Sequence, residues 1–280
     1  LASPYGKVSN WIIGNEINNQ QWNYVGPMGV DRYVQEYERA FRVFYTAIRS
    51  TNQNDRLFFS TDYNWNHEAN GTTKYNAKDI VDIFADKTGA GGPMDWGLAY
   101  HPYSIPLTEP EFWDDDETGL ITYDPGSPVI NLKNLNVLTD YMQTGQRLGR
   151  DGKVRHIILS EQGFTSTSAT RGENNDLQAA AIAYAYYVAD SNPYIDAFIM
   201  SRQVDAPSEA AASQTFGLWK CDMNQPNDIV PTMRKKSWSV YKNIDNRKTT
   251  LETTEFAKSI IGIEKWSDVI PNFRWRSQEK

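Results

Sequence analysis

The chain has 280 residues, 40% hydrophobic and 22% charged, which is ample for a large buried core. Its 35 acidic residues outnumber 28 basic ones, and a net charge of −7 excludes the basic surface that nucleic-acid phosphates require. No apolar stretch approaches the roughly 20 residues of a membrane span, and a single cysteine, Cys221, excludes an internal disulfide or a multi-cysteine metal site.

In chain order, strand and helix signals alternate. The first apolar run, predicted as a strand over 8–18, contains Trp11-Ile-Ile-Gly-Asn-Glu16. A helix follows, with Val34, Tyr37, Phe41, Phe44 and Ile48 repeating at steps of three and four to form one stripe. Strands are then expected over 56–65 and 95–104, with a helix over 77–87 between them. After a long connection, 105–130, come a helix over 132–148 and a strand over 155–164 that carries His156-Ile-Ile-Leu-Ser-Glu161-Gln-Gly163. A helix over 176–189, a strand over 195–204, a second long connection (205–233) and helices over 234–244 and 251–263 complete the pattern. Asp151-Gly152 and Asn192-Pro193 break the chain just before strands. Five βα units in a row require right-handed crossovers and a parallel sheet, so the fold class is α/β.

Two glutamates each end an apolar run. A strand buried on both faces reads as such a run, and in α/β proteins the chemistry gathers where such strands end. Side chains alternate along a strand, so Ile12, Gly14 and Glu16 are expected on one face, as are Ile157, Leu159 and Glu161. A pair of carboxylates delivered in this way suits glycoside hydrolysis, in which one protonates the leaving oxygen while the other acts at the anomeric carbon. His101 and Tyr103 also share a face, where Tyr103 can donate to a carboxylate and His101 can bind a sugar hydroxyl. The residues alone do not say which glutamate is the acid.

The chain holds 9 Trp, 16 Tyr and 11 Phe, and aromatic faces serve both as sugar platforms and as core. Trp22, Trp65 and Trp219 lie just past strand ends and are candidate platforms. The run Glu111-Phe-Trp-Asp-Asp-Asp-Glu117 reads as a solvated loop, with Ca²⁺ coordination the alternative. His67, His101 and His156 lie on separate segments without HExxH spacing, and there is no Gly-x-Ser-x-Gly elbow. No metal and no cofactor is called for.

Asn15-Glu16 at one strand end, His101-Pro102-Tyr103 two strands later and Glu161 one strand after that resemble clan A of the retaining glycoside hydrolases. Those enzymes are (β/α)8 TIM barrels whose fourth strand ends in Asn-Glu and whose seventh ends in a nucleophilic Glu. In several of the clan's families the sixth strand carries a His-x-Tyr. The resemblance covers roughly residues 8 to 245 and implies that the five strands are the fourth to the eighth. It implies that Glu16 is the acid/base, that Glu161 is the nucleophile and that Asn15 binds the 2-hydroxyl of a carbohydrate substrate. Arg202 and Gln203 stand where many members of the clan place a Trp.

Nothing in the sequence supplies the first three barrel strands. Residues 1–245 are therefore expected to be the C-terminal five βα units of an incomplete barrel, with 246–280, including Trp266 and Trp275, a tail that packs on it. The missing N-terminal barrel segment would come from the same longer polypeptide. The alternative fold is an open five-stranded parallel sheet, and the alternative function is a non-catalytic carbohydrate-binding protein. A polysaccharide substrate implies export to the cell surface, the periplasm or the medium.

Overall fold

The structure, a computed structural model, describes residues 2–3, 6–270 and 273–274. Five strands form one sheet in sequence order: β1 (Asn10–Ile12), β2 (Arg56–Asp62), β3 (Trp96–His101), β4 (Ile157–Gln162) and β5 (Ile195–Met200). The sheet is parallel and open. Among the described residues β1 and β5 each have one neighbour in it, and no strands stand for the first three of a barrel. Among the described residues, no helix is long and apolar enough to cross a membrane.

The chain forms two compact units, the first of residues 1–101, 120–130 and 136–159 and the second of the rest. In the first, α1 (Val30–Thr51) and α2 (Ala77–Ala90) connect β1 to β2 and β2 to β3. The stripe on α1 buries Val34, Phe41 and Ile48 as its periodicity predicts, but Phe44 stays half exposed. Register runs from Leu57↔Trp96 to Asp62↔His101 between β2 and β3, and from Leu98↔Ile157 to Tyr100↔Leu159 between β3 and β4. Phe41, Phe59, Phe84 and Trp96 meet in the core, with ring centroids 4.8–5.6 Å apart. Burying aromatic surface stabilises this core at roughly 25 cal/mol per Å².

The second unit holds the end of β4, β5, α4 (Asn175–Ser191), α5 (Lys236–Asn243) and α6 (Arg247–Ile261). The Asn174 side chain caps α4 by accepting from the Leu177 N–H. Alanines 179, 180, 181, 183 and 185 are buried along α4, and small side chains of this kind let neighbouring helices approach. The Tyr187 hydroxyl lies 2.8 Å from Thr254 Oγ1 on α6, and its ring stacks near Trp266. Trp275 lies outside the described residues.

Three elements differ from expectation. The first strand ends at Ile12, because Gly14 takes a φ of +83° and Glu16 one of +39°, which break the β alternation. The helix expected over 132–148 is α3 (Leu135–Met142) alone, and the left-handed Gly145 then starts a separate single turn. The acidic run is not a solvated loop. It forms a 3-10 helix, Phe112–Thr118, whose Phe112, Trp113 and Asp115 are buried.

Candidate active site

In the first unit the site begins where β1 stops. Ile13 N donates to Phe58 O at 2.8 Å and Ile17 N to Ser60 O at 2.9 Å, so the chain stays beside β2 while it leaves the ladder between these two bonds. Gly14 permits that excursion, since its φ is one that L side chains rarely adopt. Glu16 sits on the excursion with a left-handed backbone of its own, and its N–H donates to Ser60 Oγ at 2.6 Å. A non-glycine residue held in this region is a strained position of the kind that gathers at functional sites.

Both carboxylate oxygens of Glu16 are engaged. Oε1 lies 2.9 Å from Nδ1 of His101, the last residue of β3, and Oε2 accepts from the Trp22 indole N–H at 2.8 Å. The Glu16 side chain keeps 14% of its surface exposed, whereas His101 keeps 2%. Asp62, paired with His101 in the register of β2 and β3, ends its own strand. It accepts from Asn18 Nδ2 at 2.6 Å, from Asn64 N at 2.9 Å and from Asn64 Nδ2 at 3.1 Å. Burial pushes the Asp62 carboxyl above its ordinary range. The hydrogen bond from Asn18 opposes this, and the nearby Glu16 carboxylate adds to it.

In the second unit Glu161 lies on β4 and accepts from the Tyr103 hydroxyl at 2.9 Å. The Tyr103 ring is buried, with its centroid 5.7 Å from that of Phe216. Beyond Glu161, Gly163 comes so close to β5 that a Cβ there would stand 2.4 Å from Ser201 O. Past the end of β5, Arg202 pairs with Glu209. Burial raises the Glu209 carboxyl, Arg202 lowers it, and the Glu161 charge raises it further.

Of the residues singled out from sequence, Glu16 and His101 meet in one unit and Tyr103 and Glu161 in the other. Asn15 is exposed in the turn before Glu16. Trp219 is half-buried, with the Arg234 guanidinium 4.9 Å from its ring and Trp238 edge-on to it. Trp65 is not an exposed platform. It is fully buried, its indole donates to Pro125 O at 3.0 Å, and Tyr141 meets its ring edge to face. With no face open to a sugar, it belongs to the core. Sequence reasoning missed Ser60, Asn18, Asp62 and Glu209, which no spacing rule picks out. It read Trp22 as a platform and not as a ligand of Glu16.

The fold and these side chains define an α/β protein with one carboxylate on the excursion that follows β1 and another near the C-terminal end of β4. The chain belongs to the family of unknown function DUF5722, which it matches over residues 2–269. No curated protein matches it. Among solved structures it is similar to a family 39 glycoside hydrolase from Bacteroides cellulosilyticus WH2, at 18% identity and a TM-score of 0.47. That match covers 78% of this chain and 37% of the other. It is also similar to a GH2 β-galacturonidase from Eisenbergiella tayi (12% identity, TM-score 0.45), covering 90% of this chain and 33% of the other. A family 1 β-glucosidase from Thermotoga maritima shows 12% identity and a TM-score of 0.38, covering 84% of this chain and 57% of the other. The chain thus spans less than two thirds of the length of each of these.

Proposed function

We propose that this protein is a retaining O-glycoside hydrolase acting on a poly- or oligosaccharide. One observation carries the reading: each strand-end glutamate has a side-chain partner that orients it, His101 and Trp22 for Glu16 and Tyr103 for Glu161. A carboxylate fixed in this way is prepared for chemistry, because its rotamer is chosen before substrate arrives.

In the first step a Glu161 oxygen attacks the anomeric carbon, and the glycosidic C–O bond breaks as Glu16 gives its proton to the leaving oxygen. In the second, Glu16 takes a proton from water, whose oxygen attacks the same carbon and frees Glu161. The Tyr103 hydroxyl keeps Glu161 aimed, and His101 keeps Glu16 aimed. Asn15 and Trp219 are proposed as substrate contacts, on the resemblance for Asn15 and on position for Trp219. On this reading a polysaccharide substrate would be met at the cell surface, in the periplasm or in the medium.

A panel of chromogenic glycosides tests the reading. Glu161→Ala should abolish turnover by at least about 10³-fold, and azide should restore it by taking the place of the missing nucleophile. Undiminished turnover in the variant overturns the assignment. Sugar binding that survives loss of both glutamates, with no turnover in the native protein, marks a non-catalytic binder instead.

We also propose that a further segment of the same longer polypeptide covers the two sheet edges. Among the described residues β1 and β5 each have one neighbour in the sheet, Ile12 and Ile199 on them are exposed, and an unpaired strand edge invites pairing. Co-expression with such a segment should convert self-associating material to a discrete species. Unchanged behaviour argues against it.

A further inference from the structure

Among the described residues, Trp22 is the side chain bonded to Glu16 that solvent reaches freely, being 49% exposed while its indole N–H still reaches Oε2. Its segment is held by hydrogen bonds on both sides. Asn19 accepts from the N–H groups of Gln21 and Trp22, Gln20 N donates to Thr73 O, and Asn23 Nδ2 donates to the Tyr33 hydroxyl. Gln20 Nε2 adds bonds to Tyr75 and to Thr72 O. A ring this exposed contributes little to the core, yet six hydrogen bonds hold the short segment that presents it.

An indole N–H can only donate. Its bond to a carboxylate is roughly twice as strong as its bond to a neutral carboxylic acid. The contact therefore strengthens as charge develops on Glu16, and an interaction that strengthens on the way to the transition state accelerates the step. We propose that Trp22 is a positioning residue acting through Glu16, its N–H stabilising the carboxylate that Glu16 becomes as its proton passes to the departing sugar oxygen. This rests on the glycosidase reading, with Glu16 as the acid. The second step runs the other way. There Glu16 takes up a proton and the same bond weakens, so Trp22 gives that step no help.

The two steps can be separated by the leaving group. Trp22→Phe keeps a ring at the half-exposed position and removes only the N–H. The probes are methyl and 2,4-dinitrophenyl glycosides of glucose, galactose, xylose, mannose and glucuronic acid. Dinitrophenolate leaves without a proton, whereas methanol needs one. In the variant, kcat/KM for the methyl glycoside should fall roughly 10-fold, the difference between a charge-assisted hydrogen bond and a neutral one. For the dinitrophenyl glycoside of the same sugar it should change less than about 3-fold on the same scale. Equal losses on both probes, or none on either, overturn the role of Trp22 and leave the glycosidase reading intact. Failure of the native protein to cleave any dinitrophenyl glycoside overturns the reading and this role with it. Trp22→Ala separates ring from N–H: a loss matching that of Trp22→Phe assigns the effect to the N–H, and a loss seen only in Trp22→Ala overturns the proposal.

Discussion

Asn18 and Asp62 exchange two hydrogen bonds, amide nitrogen to carboxylate at 2.6 Å and Asp62 N–H to amide oxygen at 3.0 Å. The pair extends the contact between β1 and β2 past the point where the backbone ladder ends, two residues beyond Glu16. Asn18→Ala should cost about 2–4 kcal/mol in denaturant unfolding, because it leaves a buried carboxylate short of donors. Asn18→Asp should be worse at neutral pH and recover on acidification. Two carboxyls at hydrogen-bond distance cannot both stay ionised. A pH-independent defect in Asn18→Asp would contradict this.

Asp115 gives the fold a pH dependence of its own. It is buried, its Oδ2 accepts from Ile105 N at 3.0 Å and from Asn131 Nδ2 at 2.5 Å, and burial pushes its carboxyl from 3.8 up to about 7. The folded state therefore holds this proton more tightly than the unfolded chain does. The stability that comes with it is complete below pH 3.8 and is lost as the pH rises toward 7. About 4 kcal/mol is at stake over that window. Asp115→Asn should remove this slope and be the more stable protein at pH 8, as read by denaturant midpoints across the range.

Lys235 and Asp205 form a buried ion pair at 2.8 Å, with Gly217 N also donating to the carboxylate and Thr215 O accepting from the ammonium. Burial drives the two groups toward neutrality, raising Asp205 and lowering Lys235, and their mutual attraction resists it. Lys235→Met alone should destabilise by about 3–5 kcal/mol, since it strands the charge of Asp205. Adding Asp205→Asn should recover much of that loss. A double-mutant cycle with no coupling would show that the two side chains are independent.

Two glycines should respond in opposite directions. At Gly163 a Cβ would meet the Ser201 carbonyl at 2.4 Å and Phe216 Cβ at 2.7 Å, and backbone cannot step aside as a flexible side chain can. Gly163→Ala should cost at least about 2 kcal/mol. Gly89 lies inside α2 with open space around it. Gly89→Ala should stabilise by about 0.5–1 kcal/mol, because alanine loses less backbone entropy in a helix. Thermal melts of both variants measure the contrast.

Much of the fold is legible because its strands obey simple rules. The apolar runs of β2, β3 and β4 are buried nearly throughout, as strands covered on both faces should be. The β1 run misleads because Gly14 and Glu16 look like any strand continuation until their dihedrals are seen. Glu16, His101, Tyr103 and Glu161 are legible as a set of strand-end polar groups. Their partners are less so: Asn18 finds Asp62 only once two strands are paired, and no local pattern marks that meeting. Trp65 and Trp22 occupy similar positions past strand ends in the sequence, yet one is sealed in the core and the other faces solvent. What separates them is the loop around Pro125 that closes over Trp65, which periodicity does not encode.

The left-handed φ of +39° at Glu16 sets durability against chemistry at a single position. Every L-residue at 16 bears a backbone penalty of about 1–3 kcal/mol there, and glycine alone escapes it. Exchanging this glutamate for glycine would relieve that penalty but give up the bonds to His101 and Trp22. A lineage that keeps Glu16 is one in which the carboxylate is needed more than the stability it displaces.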